Sequence, residues 1–281
     1  MRGLLFYDQA GAERNVWFID RMVSVARKNG DELIPVITDS ISEALSHCTP
    51  LPDFAVVRTI SPQLSRELEK MNVPTYNNAR VAEIANDKYA TYLYARKLGI
   101  AVMDTVSVMC EGDIPDGITY PRVMKTVDGH GGSEVFLVNS LEECKEILAL
   151  HPKRRFVLQE LSSQPGVDMR VYILGGEVLA AVKRTSKSDF RSNFSLGGKA
   201  ELHELDQKEK DAVQRIARDL GADLCGIDFI RHHGEWVLNE IEDVVGTRML
   251  YSLTDTDAAE VYIRYVAASV NERHKDKDTD G

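Results

Sequence analysis

At 281 residues, with 43% apolar and 28% charged side chains, the chain has an ordinary globular balance and length for roughly two cores. A net charge of −10 with no Lys/Arg block excludes a general nucleic-acid binder. Four scattered cysteines without a Cys-x-x-Cys pair exclude a zinc ribbon or disulfide framework, and no signal peptide or spanning apolar run is present, so a cytoplasmic protein with no membrane partner is expected.

The first segment alternates strand and helix. Gly3–Tyr7 is an apolar strand, followed by a helix with Val16, Ile19, Met22, Val23 and Ala26 on one face and Gly30 as its stop. The strand Glu32–Ile37, a helix near Ser42–Cys48, the strand Phe54–Arg58 and a helix over Pro62–Met71 follow. This pattern predicts a small parallel sheet over 1–76 with helices on both faces. No Gly-x-Gly-x-x-Gly follows the first strand, so a dinucleotide site is not expected, although the Tyr7–Glu13 loop would lie at the strand C-termini. Pro74–Asn78 reads as a connection.

Helices are then expected over Ala79–Ala85 and Asp87–Leu98, with Asn86 as cap, Gly99 as stop and Ala90, Leu93, Tyr94 and Leu98 facing inward. Lys88 lies off that stripe, which alone fits a solvated lysine. A strand over Pro121–Val127 leads into Asp128-Gly129-His130-Gly131-Gly132-Ser133-Glu134 and a second strand, Val135–Val138. Backbone N–H groups of such a loop suit phosphate, but a plain turn has the same composition. Lys125 shares an otherwise apolar face with Val123 and Val127, a costly position unless it meets an anion.

After a helix over Leu141–Leu150 and a buried strand, Phe156–Leu161, the runs Met169–Leu174 and Glu177–Arg184 form a hairpin closed by Gly175-Gly176. A regular ladder from that turn sets Asp168 opposite Lys183. The loop Thr185–Gly198, with Lys187, Arg191, Ser192 and Asn193, is long and rich in anion-binding groups. A helix over Lys208–Leu220, with Ala212, Ile216 and Leu220 inward, precedes a second hairpin. Its strands, Leu224–Ile230 and Glu235–Ile241, flank a His-His-Gly turn. Glu240 and Glu242 share one strand face, and a register that sets Asp228 opposite Glu240 brings three carboxylates together. Such a patch is either a solvated face or the seat of a hard cation. A closing helix spans Thr256–Val270, and the charged residues 272–281 read as a disordered tail.

In order along the chain stand Asp87-Lys88 before a helix ending in Gly-Ile, Val-Met-Lys125 before the glycine loop, Gln159-Glu160, and Gly166-Val-Asp-Met-Arg170. Val182-Lys-Arg184, Asp189-Phe-Arg-Ser-Asn193, Gly226-Ile-Asp228 and Asn239-Glu-Ile-Glu242 complete the series. Together they resemble an ATP-grasp ligase of the RimK-like group of carboxylate–amine ligases, the alpha-L-glutamate type. The resemblance implies a mixed α/β and α+β fold. A parallel pre-ATP-grasp domain (1–76) would precede a two-lobed ATP-grasp domain (77–271) with antiparallel sheets, its flap lobe over 104–158 and its catalytic lobe over 159–271.

It also implies roles. Lys88 and Lys125 would contact ATP phosphates beneath Gly131, Gly132 and Ser133, while Gln159, Glu160 and Leu161 would read adenine. Asp228, Glu240 and Glu242 would hold Mg²⁺, with Mn²⁺ as substitute. Arg184, Arg191 and Asn193 would bind the transferred phosphate and the acceptor carboxylate, with Arg170 lining the same region. The family's usual third metal ligand is Asn, followed by a Ser-Pro-Gly-like turn. Glu242 adds a negative charge there, which would tighten metal binding or require a nearby cation, for which Arg248 is a candidate. The implied reaction is ATP-dependent amide formation through an acyl phosphate, joining an amino acid to a peptide, protein or small carboxylate. A small-molecule kinase and a non-catalytic nucleotide-binding protein are the alternatives, and a homo-oligomer stays open.

Overall fold

The computed structural model describes residues 1–130, 134–186 and 199–279, the last four of these as backbone only. Its first unit comprises β1 (Arg2–Tyr7), α1 (Gln9–Arg14), α2 (Val16–Lys28), β2 (Glu32–Ile37), α3 (Ile41–Ser46), β3 (Phe54–Val57), α4 (Pro62–Lys70) and β4 (Thr75–Tyr76). The strands form one parallel sheet in the order β2-β1-β3-β4. Along β1 the side chains alternate between two cores: Leu5 and Tyr7 enter one, Leu4 and Phe6 the other. This buried-both-ways strand is what an all-apolar run specifies.

Local corrections follow from chemistry next to the predicted elements. The Tyr7–Glu13 stretch is not a loop but the start of α1, where Asp8 accepts the Gly11 amide at 2.6 Å as N-cap. Val16, expected inward, is exposed, and the buried stripe of α2 runs through Phe18, Ile19, Met22, Val25 and Ala26. The Pro74–Asn78 connection contains β4, which extends the parallel sheet.

Helices α5 (Ala79–Ala85) and α6 (Lys88–Lys97) lead to the second unit. The cap of α6 is Asp87, whose Oδ1 accepts the amides of Tyr89 and Ala90 at 2.9 Å, while Asn86 ends α5. The buried face of α6 is Thr91, Tyr94 and Ala95; Leu93 points to solvent. Strands β5 (Thr105–Val108), β6 (Arg122–Thr126), β7 (Val135–Val138) and β8 (Phe156–Glu160) form an antiparallel sheet in the order β5-β8-β6-β7. Helix α7 (Leu141–Leu150) covers it through Cys144 and Leu148.

The third sheet, in the order β11-β10-β9-β12-β13, carries β9 (Val167–Leu174), β10 (Glu177–Thr185), β11 (Lys199–Leu202), β12 (Leu224–His232) and β13 (Glu235–Glu242). Its helices are α8 (Gln207–Leu220), α9 (Arg248–Leu253) and α10 (Ala258–Thr279). Helix α10 runs through most of the segment expected to be a disordered tail. One core is continuous from Leu5 and Tyr7 of the parallel sheet to Tyr172, Leu174 and Val182 of this one. No helix among the described residues is long and apolar enough to cross a membrane.

Two registers decide the site. Leu174 faces Glu177 as the Gly175-Gly176 turn requires, but an extra residue between Val178 and Ala180 bulges β10. Asp168 therefore faces Arg184, and Lys183 moves to Met169, not the Asp168–Lys183 pairing expected from a regular ladder. In the second hairpin the turn is His233-Gly234, both with positive φ, and Asp228 does face Glu240, because a register shift at Asn239, between the Phe229–Leu238 and Asp228–Glu240 pairs, replaces the Asp228–Asn239 pairing of a regular ladder.

The pairing of β1 on β3 rests on Gly3, because a Cβ there would overlap the buried Phe54 ring opposite. Gly3→Ala is expected to lower stability by about 1–3 kcal/mol, read as a reduced urea midpoint at unchanged slope.

Candidate active site

The face of the third sheet carries an arginine–carboxylate lattice. Arg170 on β9 donates from Nε to Asp228 Oδ1 at 2.8 Å and from Nη2 to Oδ2 at 2.6 Å, and its Nη2 also bonds Glu242 Oε1. Arg184 on β10 grips Asp168 with two 2.6 Å bonds and reaches Asp228 Oδ2 at 2.8 Å. Asp228 is 2% exposed. Burial pushes its carboxyl upward, but Arg170 and Arg184 overcome that and hold it below the usual range. Burial raises the Glu242 carboxyl; Arg170 opposes this, while Asp228 and Glu240 repel the charge further. Arg248, expected beside Glu242, is exposed at the start of α9, and Arg170 provides the cation instead.

Above this floor lies a lysine layer. Lys125 Nζ donates to Gln159 Oε1 and Asn239 Oδ1, both at 2.9 Å. Burial lowers its pKa to about 8, Glu240 opposing and Lys88 adding to the shift. Lys88, in the first turn of α6, bonds the Gly129 carbonyl and stands 3.9 Å from Glu240 Oε2. The cap Asp87 is ion-paired with Arg155, which ties this turn to the second sheet. Burial lowers the His130 pKa, and Lys88 adds to that.

Between the second and third sheets opens a cleft with an empty volume of about 970 Å³, its open mouth included. Lys88, Lys125, Gln159, Glu160, Leu161, Arg184, Glu240 and Glu242, all expected from the sequence, line it. Asp228 and Arg170 form the layer behind. Gly131, Gly132, Ser133, Arg191 and Asn193 lie outside the described residues.

Both flanks of the glycine segment are fixed. Arg154 Nη2 reaches Asp128 Oδ1 and Glu134 Oε2, each at 3.0 Å, and Thr126 Oγ1 donates to Glu134 at 2.8 Å. The cleft also contains Asp168 and Asn239, which sequence reasoning quoted in motifs without giving them a role. The β10 bulge hid the first; the second needs the packing of β6 against β13. At the end of β12, His232 places Nε2 3.8 Å from a Glu160 carboxylate oxygen.

Four carboxylates (Asp168, Asp228, Glu240, Glu242) thus face four cations (Lys88, Lys125, Arg170, Arg184) among the described residues. Carboxylate oxygens of Asp228, Glu240 and Glu242 come within 4.8 Å of one another. That all-oxygen set, without sulfur or imidazole, fits a hard divalent cation. Because Glu240 opposes the lowering of Lys125, Glu240→Gln should shift the Lys125 titration below about 8. Competitive amine labelling across a pH series, read by peptide mass, checks this; an unchanged or raised midpoint contradicts it.

A family model described as the RimK-like ATP-grasp domain matches residues 97–266. An uncharacterised MG011 homolog of Mycoplasma pneumoniae is 35% identical over 62% of this chain and 60% of its own length. A probable alpha-L-glutamate ligase 1 of Shewanella denitrificans is 29% identical over 79% of this chain and 80% of its own. Among solved structures, D-alanine–D-alanine ligase from Bacillus anthracis in complex with ATP superposes with a TM-score of 0.77 at 15% identity, covering 97% of this chain and 99% of that one. Since the family model covers more than half of the sequence, the chain belongs to the RimK-like ATP-grasp family.

Proposed function

We propose that this protein is an ATP-dependent ligase that joins a carboxylate to an amine through an acyl phosphate, releasing ADP and phosphate. The observation that carries this is the cleft itself, with Lys88 and Lys125 on one side and Glu240, Glu242 and Arg184 on the other. The division into a pre-ATP-grasp domain (1–76), a flap lobe (104–158) and a catalytic lobe (159–271) belongs to the same reading. The relatives named probable alpha-L-glutamate ligases make L-glutamate the first amino acid to test as the amine.

A carboxylate is a poor electrophile. One of its oxygens attacks the γ-phosphorus of ATP, the bond to the ADP oxygen breaks, and the acyl phosphate gains phosphate as a leaving group. The amine nitrogen then attacks the acyl carbon, loses a proton to solvent, and the tetrahedral oxyanion expels phosphate. Lys88 and Lys125 neutralise phosphate oxygens, a task to which Gly131, Gly132 and Ser133 are also assigned. The 159–161 segment holds the adenine edge. Arg184 faces the transferred phosphoryl group, with Arg191 and Asn193 assigned to the same task and to the acceptor carboxylate.

Arg170 keeps Asp228 ionised and holds the Glu242 carboxylate at the edge of the cleft. Mg²⁺ or Mn²⁺ bound by Asp228, Glu240 and Glu242 would supply further charge neutralisation to the phosphates. Excluding water matters because water destroys an acyl phosphate.

The test is a screen of ATP turnover against pairs of carboxylates and amino acids, with product mass detection. The expected result is ADP release that requires Mg²⁺ and both substrates, and a product heavier by one amino-acid residue. Glu240→Gln is expected to lower that turnover roughly 100-fold or more at an unchanged melting temperature. A phosphorylated product without an amide, or full activity in Glu240→Gln, contradicts the reading.

A further inference from the structure

Strand β13 ends at Glu242, so no ladder hydrogen bond fixes the backbone beyond it. What holds the following turn decides where the Glu242 carboxylate points. Each of the next residues but one is anchored by a side chain from a distant segment. Asn77 Nδ2 donates to the Asp243 carbonyl at 3.0 Å, and Asn86 Nδ2 to Asp243 Oδ2 at 3.0 Å. Tyr172 Oη donates to the Gly246 carbonyl at 3.1 Å. Between them, Arg58 Nη2 donates to the Val245 carbonyl at 2.7 Å. The Val245 side chain is pressed down on Gly226, where a Cβ would come 2.8 Å from Val245 Cγ2. Gly226 itself pairs with Glu242 across the ladder, two residues before Asp228. The turn is therefore clamped from above by Arg58 and from below by the metal-floor strand.

Arg58 is an expensive way to make one hydrogen bond. It follows β3 of the parallel sheet, is 4% exposed, and sits over the Phe18 ring at 5.6 Å. Its Nε and Nη1 make no well-formed hydrogen bond among the described residues, although the Tyr7 hydroxyl, Tyr262 and Asp243 nearby favour its charge. Taking a guanidinium out of water without a bound carboxylate costs several kcal/mol, and an apolar side chain would suit that core better. Its one well-formed hydrogen bond among the described residues goes to the Val245 carbonyl, and that is where its geometric task lies.

We infer that Arg58 is a positioning residue for the metal floor: through the Val245 carbonyl it fixes the turn after β13 and so the aim of Glu242. The parallel sheet then takes part in cation binding although none of its side chains belongs to the carboxylate set. This rests on the reading of Asp228, Glu240 and Glu242 as cation ligands, and the experiment separates the two claims.

Mn²⁺ alone is titrated into the full chain, with binding followed by calorimetry or electron paramagnetic resonance and folding by thermal melting. Wild type, Glu240→Gln, Arg58→Met, Arg58→Lys and Tyr172→Phe are compared. Arg58→Met is expected to weaken Mn²⁺ binding roughly tenfold, the scale of outer-shell substitutions at metal sites (about 10–100-fold). Arg58→Lys, which keeps a donor, falls between that variant and the wild type. Tyr172→Phe, which frees the next carbonyl at little cost in volume, shifts binding the same way and carries the test if Arg58→Met does not fold. Arg58 and Tyr172 variants that bind Mn²⁺ like the wild type while melting lower overturn the inference and leave a structural role. Glu240→Gln binding Mn²⁺ like the wild type overturns the metal reading, and the inference falls with it.

Discussion

Asp228 is the carboxylate on which the site depends. It is buried beyond the reach of water, and both its oxygens are held by guanidinium groups from two other strands. An unpaired carboxylate at that depth would take up a proton, whereas Arg170 and Arg184 keep it charged. The same two arginines extend the lattice outward, to Glu242 on one side and Asp168 on the other. Four strands are thereby cross-linked through side chains as well as through their ladders. The planar donor fork of arginine makes this possible, and a lysine would hold one oxygen at a time.

The lattice faces a cleft whose other wall comes from a different sheet, so the cleft depends on how those sheets are held. Lys88 is aimed by the capping of α6 and by Arg155 on the loop before β8. Lys125 spans the gap, bonding Gln159 in its own sheet and Asn239 in the facing one. The parallel sheet supports the third sheet from outside the cleft, through the core it shares with β9 and β10 and through the Arg58 bond to the turn after β13, which Asn77 also holds. A phosphate chain entering between Lys125 and Glu240 would find opposed charges already fixed, so little reorganisation is left for the reaction.

Much of this was legible in the sequence. Alternation placed Glu240 and Glu242 on one face, but the turn alone would set Asp228 opposite Asn239, and an extra residue in β13 moves it to Glu240, so the acidic floor was legible only as one possible register. The apolar setting of Lys125 marked it as functional. What escaped depended on contacts between distant segments or on a single inserted residue. The bulge in β10 leaves no mark in a valine- and alanine-rich strand, yet it exchanges Lys183 for Arg184 opposite Asp168. Asn86 and Asp87 are equally good caps in isolation, and only the packing of α5 on α6 gives the role to Asp87. Helix α9 has six residues and no side-chain cap, so its start carried no signal. Arg248 looked like the partner of Glu242 because it is near in sequence, whereas Arg170 is near in space.

The account turns on a carboxylate being activated by direct phosphoryl transfer, and heavy-oxygen labelling tests that step most directly. With a carboxylate substrate carrying heavy oxygen in both positions, the attacking oxygen becomes part of the acyl phosphate and leaves with the phosphate. The expected result is one labelled oxygen in each phosphate released, matched by one amide formed. Unlabelled phosphate accompanying amide formation, or label retained entirely in the amide and the unreacted acid, would contradict the mechanism.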